Sequence, residues 1–501
     1  MAVESGPTAV ARSGWARAGW ARAGWARAGW ARHVLLGTAA VAVCVAIAFG
    51  PGADLSGEGR VTLAVFAVAT LLWMFSPVDD AYVALTAGLV LVVTQVLEPD
   101  VLFGSLGEPT IWLLICAFVI ASGVSRTGLA TRAAAFFVSG AGTVRQLVHL
   151  TTAALVASAF AVPATSGRAA LALPVFVALA RALGGRRRVV LALALVFPTV
   201  ILLSAVATLI GAGAHLITAE MLAHATGERI GFVHWLLLGT PLAFVSSHVA
   251  AELILLMTTS RADRRVPVHV SAEEIGEAAE VRVTGPLTDP QARAAALLGV
   301  VVVLWCSEPL HGVPPAVVAL IGTIVTVSPW LGTIRMKDAL ATIPWTLLLF
   351  LAATTAMGFA LTSSGAAAWL GRAVFGPVIG SGAPPAWLFL GAVVAVSTLA
   401  HLVLQSRSAR SGVLVPLVIT AAVSAGVAPA AAAFASTAAA GFCQTLPSSA
   451  KPVALFHTVD GAVTYTSRDL LRTSAVLAPV TAALVFVFAL LVWPLLGLPV
   501  R

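Results

Sequence analysis

The chain has 501 residues, of which 59% are hydrophobic and 10% charged, where an ordinary soluble domain carries about 25% charged residues. That excludes a soluble globular protein. Apolar runs long enough to cross a bilayer, about 20 residues each, recur from His33 to Val500, so the chain reads as an all-α polytopic membrane protein. The alternating ten-residue pattern of a membrane β-barrel is absent. The net charge of +8 is spread over short loops between apolar runs, which is positive-inside bias and not a nucleic-acid surface. Cys44, Cys116, Cys306 and Cys443 lie in apolar runs without CxxC spacing, so neither a disulfide framework nor a zinc site is expected.

In chain order, residues 1–32 form a basic arm in which Gly-Trp-Ala-Arg-Ala repeats, placing Trp15, Trp20, Trp25 and Trp30 five residues apart. At about 3.6 residues per turn that period turns each Trp about 140° from the last, so the arm is no amphipathic helix and reads as a tether at an anionic lipid surface. An extra first span and loop occupy 33–60. Further spans are expected near 61–76, 82–97, 110–127, 189–222 and 232–258, with a hairpin broken at its middle over 147–183. Residues 259–292 are the long polar segment, carrying Arg261, Arg264, Arg265, Glu273, Glu274, Glu277 and Glu280. They read as a cytoplasmic linker with one short surface helix. Spans near 293–307, 313–328, 339–363, 428–456 and 474–498 follow, with a second broken hairpin over 386–424.

If both hairpins re-enter on the side they left, the chain has about eleven transmembrane helices, its N-terminus inside and its C-terminus outside. Of 29 Lys and Arg residues, 21 then fall in cytoplasmic segments, 4 outside and 4 within the membrane. This is the bias expected of an inner (plasma) membrane protein.

The halves 61–258 and 293–501 align. Leu72-Trp73 matches Leu304-Trp305, Ile111-Trp112 matches Pro344-Trp345, Gly128 matches Gly365, and Arg132 matches Arg372. Ser166-Gly167-Arg168 through Pro174 matches Ser408-Ala409-Arg410 through Pro416, with Arg six residues before Pro in both. Five spans per half make the second half inverted relative to the first. Inverted repeats with broken helices mark secondary transporters that hold cargo at the midplane.

An Arg near the bilayer centre costs about 2.5–3.5 kcal/mol on insertion scales, so such residues pair or line a pathway. Arg168 and Arg410 occupy equivalent hairpin tips, Arg407 lies beside the second, and Lys451 follows a further break after Leu446-Pro447-Ser448-Ser449-Ala450. Helix N-termini beside them favour an anion, and Arg offers a bidentate fork to carboxylate or sulfate. Candidate substrate ligands are therefore Thr165, Ser166, Arg168, Thr208, Ser406, Arg407, Ser408, Arg410, Ser448, Ser449 and Lys451. A purely structural pairing of the arginines stays open, as does proton carriage or simple packing for His215 and His401. No metal site, cofactor or catalytic residue is expected.

These segments resemble the divalent anion/sodium symporter family, carriers of dicarboxylates, tricarboxylates and sulfate. The resemblance rests on Pro109-Thr110-Ile111-Trp112 through Gly128 and Arg132, both hairpin tips, and Ala207-Thr208-Leu209-Ile210-Gly211. It continues through Phe232-Val233-His234-Trp235, Gly239-Thr240-Pro241, Ile343-Pro344-Trp345 through Gly365, and Leu446-Pro447. It implies a homodimer and an elevator-type carrier in which hairpins and broken spans move against a scaffold. The family's Ser-Asn-Thr triplets fall on Ala164-Thr165-Ser166 and Ser406-Arg407-Ser408. Its Thr-Pro-Pro-Asn segments fall on Ala212-Gly213-Ala214-His215 and Ala450-Lys451-Pro452-Val453. Asn carbonyls, good ligands for a hard cation, are missing from both tips, and Arg407 and Lys451 place fixed charge there instead. Exchange or proton coupling is therefore expected over strong sodium dependence. Either Na+ or H+ would be held among Thr165, Ser166, Thr208, Gly211, Ser408 and His215.

The function expected is secondary active transport of small divalent organic anions such as C4-dicarboxylates or citrate. A sulfate permease and a cation/proton antiporter of the same fold group are the alternatives. The antiporter would want an intramembrane acid at the breaks, where this chain has Arg.

Overall fold

In the computed structural model, residues 37–42, 44–47, 55–183, 185–268, 270–379, 384–459 and 462–501 are described. The Trp/Arg arm lies outside them. Apart from one two-stranded hairpin, β1 (Thr458–Val459) paired with β2 (Ala462–Val463), the described chain folds as helices joined by turns. Nine of its helices are long and apolar enough to cross a membrane, counted among the described residues.

The first half runs α1 (Gly57–Phe75), α2 (Asp80–Val93), α3 (Pro109–Arg126), α4 (Leu129–Ser139), the pair α5 (Val144–Ala161) and α6 (Thr165–Ala182), then α7 (Arg187–Leu203), a break, α8 (Gly213–Thr226) and α9 (Phe232–Thr258). The second half repeats that order. It has α10 (Asp289–Cys306), α11 (Pro315–Thr326), α12 (Trp345–Ser363), α13 (Ala366–Ile379), the pair α14 (Ala386–Leu399) and α15 (Arg407–Ala425), then α16 (Pro429–Ala439), a break, α17 (Lys451–His457) and α18 (Ser467–Val487). The pairs occupy the stretches read as broken hairpins, and one arm of each, α5 and α15, is among the nine described helices long and apolar enough to cross a membrane. The spans expected near 189–222 and 428–456 are interrupted helices, each split by about ten irregular residues.

Two elements were not read from the sequence. Helices α4 and α13, of 11 and 14 residues, each begin after a glycine in the left-handed region, Gly128 at φ 73° and Gly365 at φ 75°. Glycine takes that conformation without the Cβ clash that hinders other residues. The polar segment 259–292 holds two short helices where one was expected, Arg261–Arg265 and Ala272–Ala278. Each opens with a capping box, Ser260 with Asp263 and Ser271 with Glu274, which satisfies two free N–H groups reciprocally. The segment is also no free tether. Val268, Val270, Ile275 and Val283 are buried with α4, α5 and α6 in one hydrophobic cluster.

The apolar interior has two large clusters and a small third one of Ala205, Ala212 and Ala214 at the first break. One large cluster joins α1 to α3, α8, α12 and α14 to α16; the other joins α4 to α7, the end of α9, the polar segment and Phe442 to Leu477. The break between α7 and α8 passes from the second to the first, with Leu203 on one side and Val206 on the other.

Candidate anion site at the helix breaks

After Leu203 the chain tightens into two 3-10 turns, Ser204–Ala207 and Leu209–Gly211, before α8 starts at Gly213. Close approach fixes this shape. A Cβ on Gly211 would lie 2.1 Å from the Ala205 carbonyl oxygen, and one on Gly239 of α9 would lie 2.0 Å from that of Val206. Trp235 of α9 donates from Nε1 to the Val206 carbonyl at 3.1 Å. His215 donates from Nδ1 to the Thr208 carbonyl at 2.9 Å, and Thr208 Oγ1 donates to the Ala159 carbonyl at 3.2 Å. His215 therefore turns back onto the break and packs on Trp235, with ring centroids 5.1 Å apart.

The two tip arginines are each the fourth residue of their helix and both fully buried, Arg168 at 1% and Arg410 at 0% exposure. Their surroundings differ. Arg168 donates from Nε to Ser158 Oγ (3.0 Å), from Nη1 to the Ile201 carbonyl (3.1 Å), and from Nη2 to the Leu155 carbonyl and Ser204 Oγ (both 2.6 Å). Four of its five donors are thus taken by protein, tying the first hairpin to α7. Arg410 donates from Nη1 to the Phe442 carbonyl at 3.1 Å, while its Nε and Nη2 have no partner among the described residues. Ser411 Oγ, Gln444 Nε2 and Thr398 Oγ1 are likewise buried and unpartnered. One half therefore carries a satisfied arginine, and the other a set of free donors.

Arg407 connects the halves. Its Nη1 donates to the Leu202 carbonyl of α7 at 3.2 Å, and it lies within electrostatic range of Arg168, Arg410 and His215. Ser408 touches the start of α8, where a Cβ on Gly213 would stand 3.1 Å from its Oγ. Arg407 and His215 line one small cavity with Leu202, Val206, Gly441 and Phe442, residues drawn from both hydrophobic clusters. Its volume is about 20 Å³, close to the least that holds a single water. The three guanidinium groups make no ion pair with a carboxylate among the described residues.

The remaining sequence candidates separate. Ser406 caps α15, accepting from the Ala409 N–H at 3.3 Å, and Ser449 Oγ accepts from the Leu446 N–H at 2.8 Å. Both hydroxyls serve the local backbone. Thr165 is half-buried, and Ser166, Ser448 and Lys451 are exposed. Lys451 begins α17 and lies in electrostatic range of Asp80, the first residue of α2, which is itself in hydrogen-bonding reach of Ser406. His401 is buried and meets Thr445 Oγ1 at 2.6 Å through Nε2. No group of three or more metal-ligating side chains occurs among the described residues.

A polytopic helical chain with paired hairpins, two interrupted helices and buried cations where they meet has the architecture of a membrane transporter. The chain belongs to the citrate transporter (CitMHS) family, whose model matches residues 70–439, within the divalent anion/Na+ symporter-type ion transporter superfamily. It is 27% identical over 406 residues to a protein of Cupriavidus necator described as a membrane protein, covering 77% of this chain and 78% of that one. It is 26% identical over 381 residues to the chloroplastic dicarboxylate transporter 1 of Spinacia oleracea, covering 73% of this chain and 65% of the relative. The Arabidopsis thaliana counterpart gives 27% over 383 residues, covering 73% and 66%. The crystal structure of the Alcanivorax borkumensis YdaH transporter matches 87% of this chain and 98% of its own with a TM-score of 0.53 at 15% identity, which is a likeness of fold. The resemblance read from the sequence is thus to the right group, and the protein is a transporter and not an enzyme.

Proposed function

We propose that this protein is a secondary active transporter of small divalent organic anions, C4-dicarboxylates or citrate, working by alternating access. The observation that carries the reading is Arg410, fully buried with Nε and Nη2 free. Removing a guanidinium from water without partners is costly, and a carboxylate accepting from both nitrogens would offset that cost through paired charge-assisted bonds. Arg407 adds a second cation within range, and Ser411 and Gln444 add neutral donors. An anion with two charged ends would span Arg410 and Arg407.

The cavity beside Arg407 is too small for such an anion, so entry needs the hairpins and breaks to part. The seam between the two hydrophobic clusters is the natural plane for that movement. An inverted relation of the halves, an elevator-type stroke and a homodimer complete the reading. The chloroplast carriers' described cargo supports a dicarboxylate, and the family description supports citrate. The Asn-free tips support exchange or proton coupling over sodium.

The test is a thermal-shift and uptake series on detergent-purified and reconstituted protein with succinate, malate, citrate and sulfate, with and without sodium at constant ionic strength. A native-state ligand raises stability with the logarithm of its concentration over its Kd. The reading expects one organic dianion or citrate to shift the unfolding temperature, and Arg410→Gln to weaken binding by tenfold or more. A shift by sulfate alone would assign an inorganic anion. No shift by any of the four would overturn the reading.

A further inference from the structure

Where α5 and α9 adjoin the polar segment 259–292, four side chains form a chain that includes none of the candidate anion ligands. Arg145 donates from Nε to Glu252 Oε2 at 3.1 Å, and His149 Nε2 lies 2.9 Å from the same oxygen. His149 Nδ1 lies 2.9 Å from His248 Nδ1, and the two imidazoles stack with centroids 5.2 Å apart and planes 19° apart. His248 packs against Phe244 at 4.4 Å, and its Nε2 is buried with no partner among the described residues.

With Glu252 ionised and both imidazoles neutral, the bonding pattern allows one placement of the protons. An ionised carboxylate only accepts, so Nε2 of His149 carries a hydrogen. A neutral imidazole has one N–H, which leaves His149 Nδ1 as an acceptor and requires His248 to donate from Nδ1. His248 Nε2 is then a bare lone pair.

We propose that Glu252, His149 and His248 form a proton-binding site that takes up one proton with a change of tautomer. The proton forms a bond to His248 Nε2. The hydrogen on His248 Nδ1 moves to His149 Nδ1, so one N–H bond breaks and two form for one proton gained. The charge rests on His149, held by Glu252, and His248 ends neutral with its hydrogen on Nε2. Every hydrogen bond of the chain survives, with the His149–His248 bond reversed in direction.

Other charged groups lie on the packed elements, several with their own partners. On the Arg261–Arg265 helix, Asp263 lies 3.8 Å from Arg188 at the start of α7, and Arg264 donates to the Thr259 carbonyl. Arg132 of α4 bonds to Gly285, Pro286 and Gln291, Arg168 of α6 bonds to the first hairpin and α7, and Arg293 of α10 bonds to Trp330. Arg181 closes α6, Arg187 opens α7, and α18 carries Arg468, Asp469 and Arg472 in its first turns. In the chain itself Arg145 competes with His149 for Glu252.

The test is nitrogen magnetic resonance of the full chain, labelled with ¹⁵N-histidine, in nanodiscs between about pH 5 and 8, the range in which imidazoles titrate. Of the ten histidines, two should change together, one becoming imidazolium and the other exchanging Nδ1–H for Nε2–H at the same midpoint. His149→Gln should remove both changes, and Glu252→Gln should lower the midpoint by a pH unit or more. Arg145→Gln, at a largely exposed side chain, keeps the test open should buried variants misfold, and it should raise the midpoint by removing a competing cation. Separate midpoints, an imidazolium at His248, or an unmoved or lowered midpoint in Arg145→Gln would overturn the proposal. None of these readouts depends on what the transporter carries.

Discussion

Arg168 and Arg410 hold the same place in two helix pairs, and Arg168 is bound by Ser158, Leu155, Ile201 and Ser204 where Arg410 meets the Phe442 carbonyl and the Cys443 thiol. The two should therefore respond oppositely to truncation. Arg168→Met would leave buried acceptors unsatisfied, at about 1–3 kcal/mol for each group, and is expected to lower the apparent Tm by several degrees or abolish folding. Arg410→Met relieves a buried, half-partnered charge, and replacing such a charge by an apolar side chain is often neutral or stabilising. Its apparent Tm should be unchanged or higher while anion binding is lost. Thermal unfolding in detergent with and without ligand separates the two, and equal destabilisation would refute the asymmetry.

The break after α7 depends on two glycines that face carbonyl oxygens. Gly239→Ala would bring a Cβ to 2.0 Å from the Val206 oxygen, and Gly211→Ala to 2.1 Å from that of Ala205. Both contacts are with backbone, so the break must shift. Uptake by either variant should fall at least tenfold. Gly376→Ala, with nothing within 4 Å of its Cβ, is the control and should transport normally.

Ala164, before α6, adopts φ 63° and ψ 139°, a region that costs a residue with a Cβ about 1–3 kcal/mol. Ala164→Gly should stabilise the folded protein by about 1 kcal/mol, seen as a higher apparent Tm. A lower Tm would show that the tip conformation carries no strain.

The Asp263 carboxylate is held below the usual carboxylate range, first by the backbone N–H of Ser260 and then by its hydroxyl, with Arg188 and Arg264 adding to this. A depressed folded-state value means that stability is present above the ordinary carboxylate value and lost as pH falls through the depressed one. Amide protection in the Arg261–Arg265 helix, taken relative to the intrinsic exchange rate at each pH, should therefore fall below about pH 4. Asp263→Asn should show the lower protection already at pH 7, and wild-type protection that does not change with pH would refute the cap.

The equivalence of Gly128 and Gly365 was legible in the sequence, yet the helices they start were not. The helices Leu129–Ser139 and Ala366–Ile379 each carry an arginine, Arg132 and Arg372, that interrupts the apolar run, and their left-handed glycines show only as a matched pair of letters. The second helix of the polar segment escaped for a similar reason. Its capping boxes are a local signal, but the burial of Val268 and Ile275 beneath α4 to α6 depends on chain far away in sequence. Nothing near Asp80 in the chain announces Ser406 or Lys451.

Composition alone determined that this protein lives in a bilayer, because burying 501 residues with 10% charge in water would leave too much apolar surface exposed. The spacing of apolar runs, the doubled Arg-to-Pro motif and the local resemblance determined the class of transporter. Those are properties of neighbours along the chain. Which arginine is free was decided by tertiary structure, since Ser204 lies 36 residues from Arg168 and Phe442 lies 32 from Arg410. The His149–His248 contact spans 99 residues and has no sequence signature at all. A hydrogen-bond partner is a matter of distance in space, and the sequence states distance only along the chain.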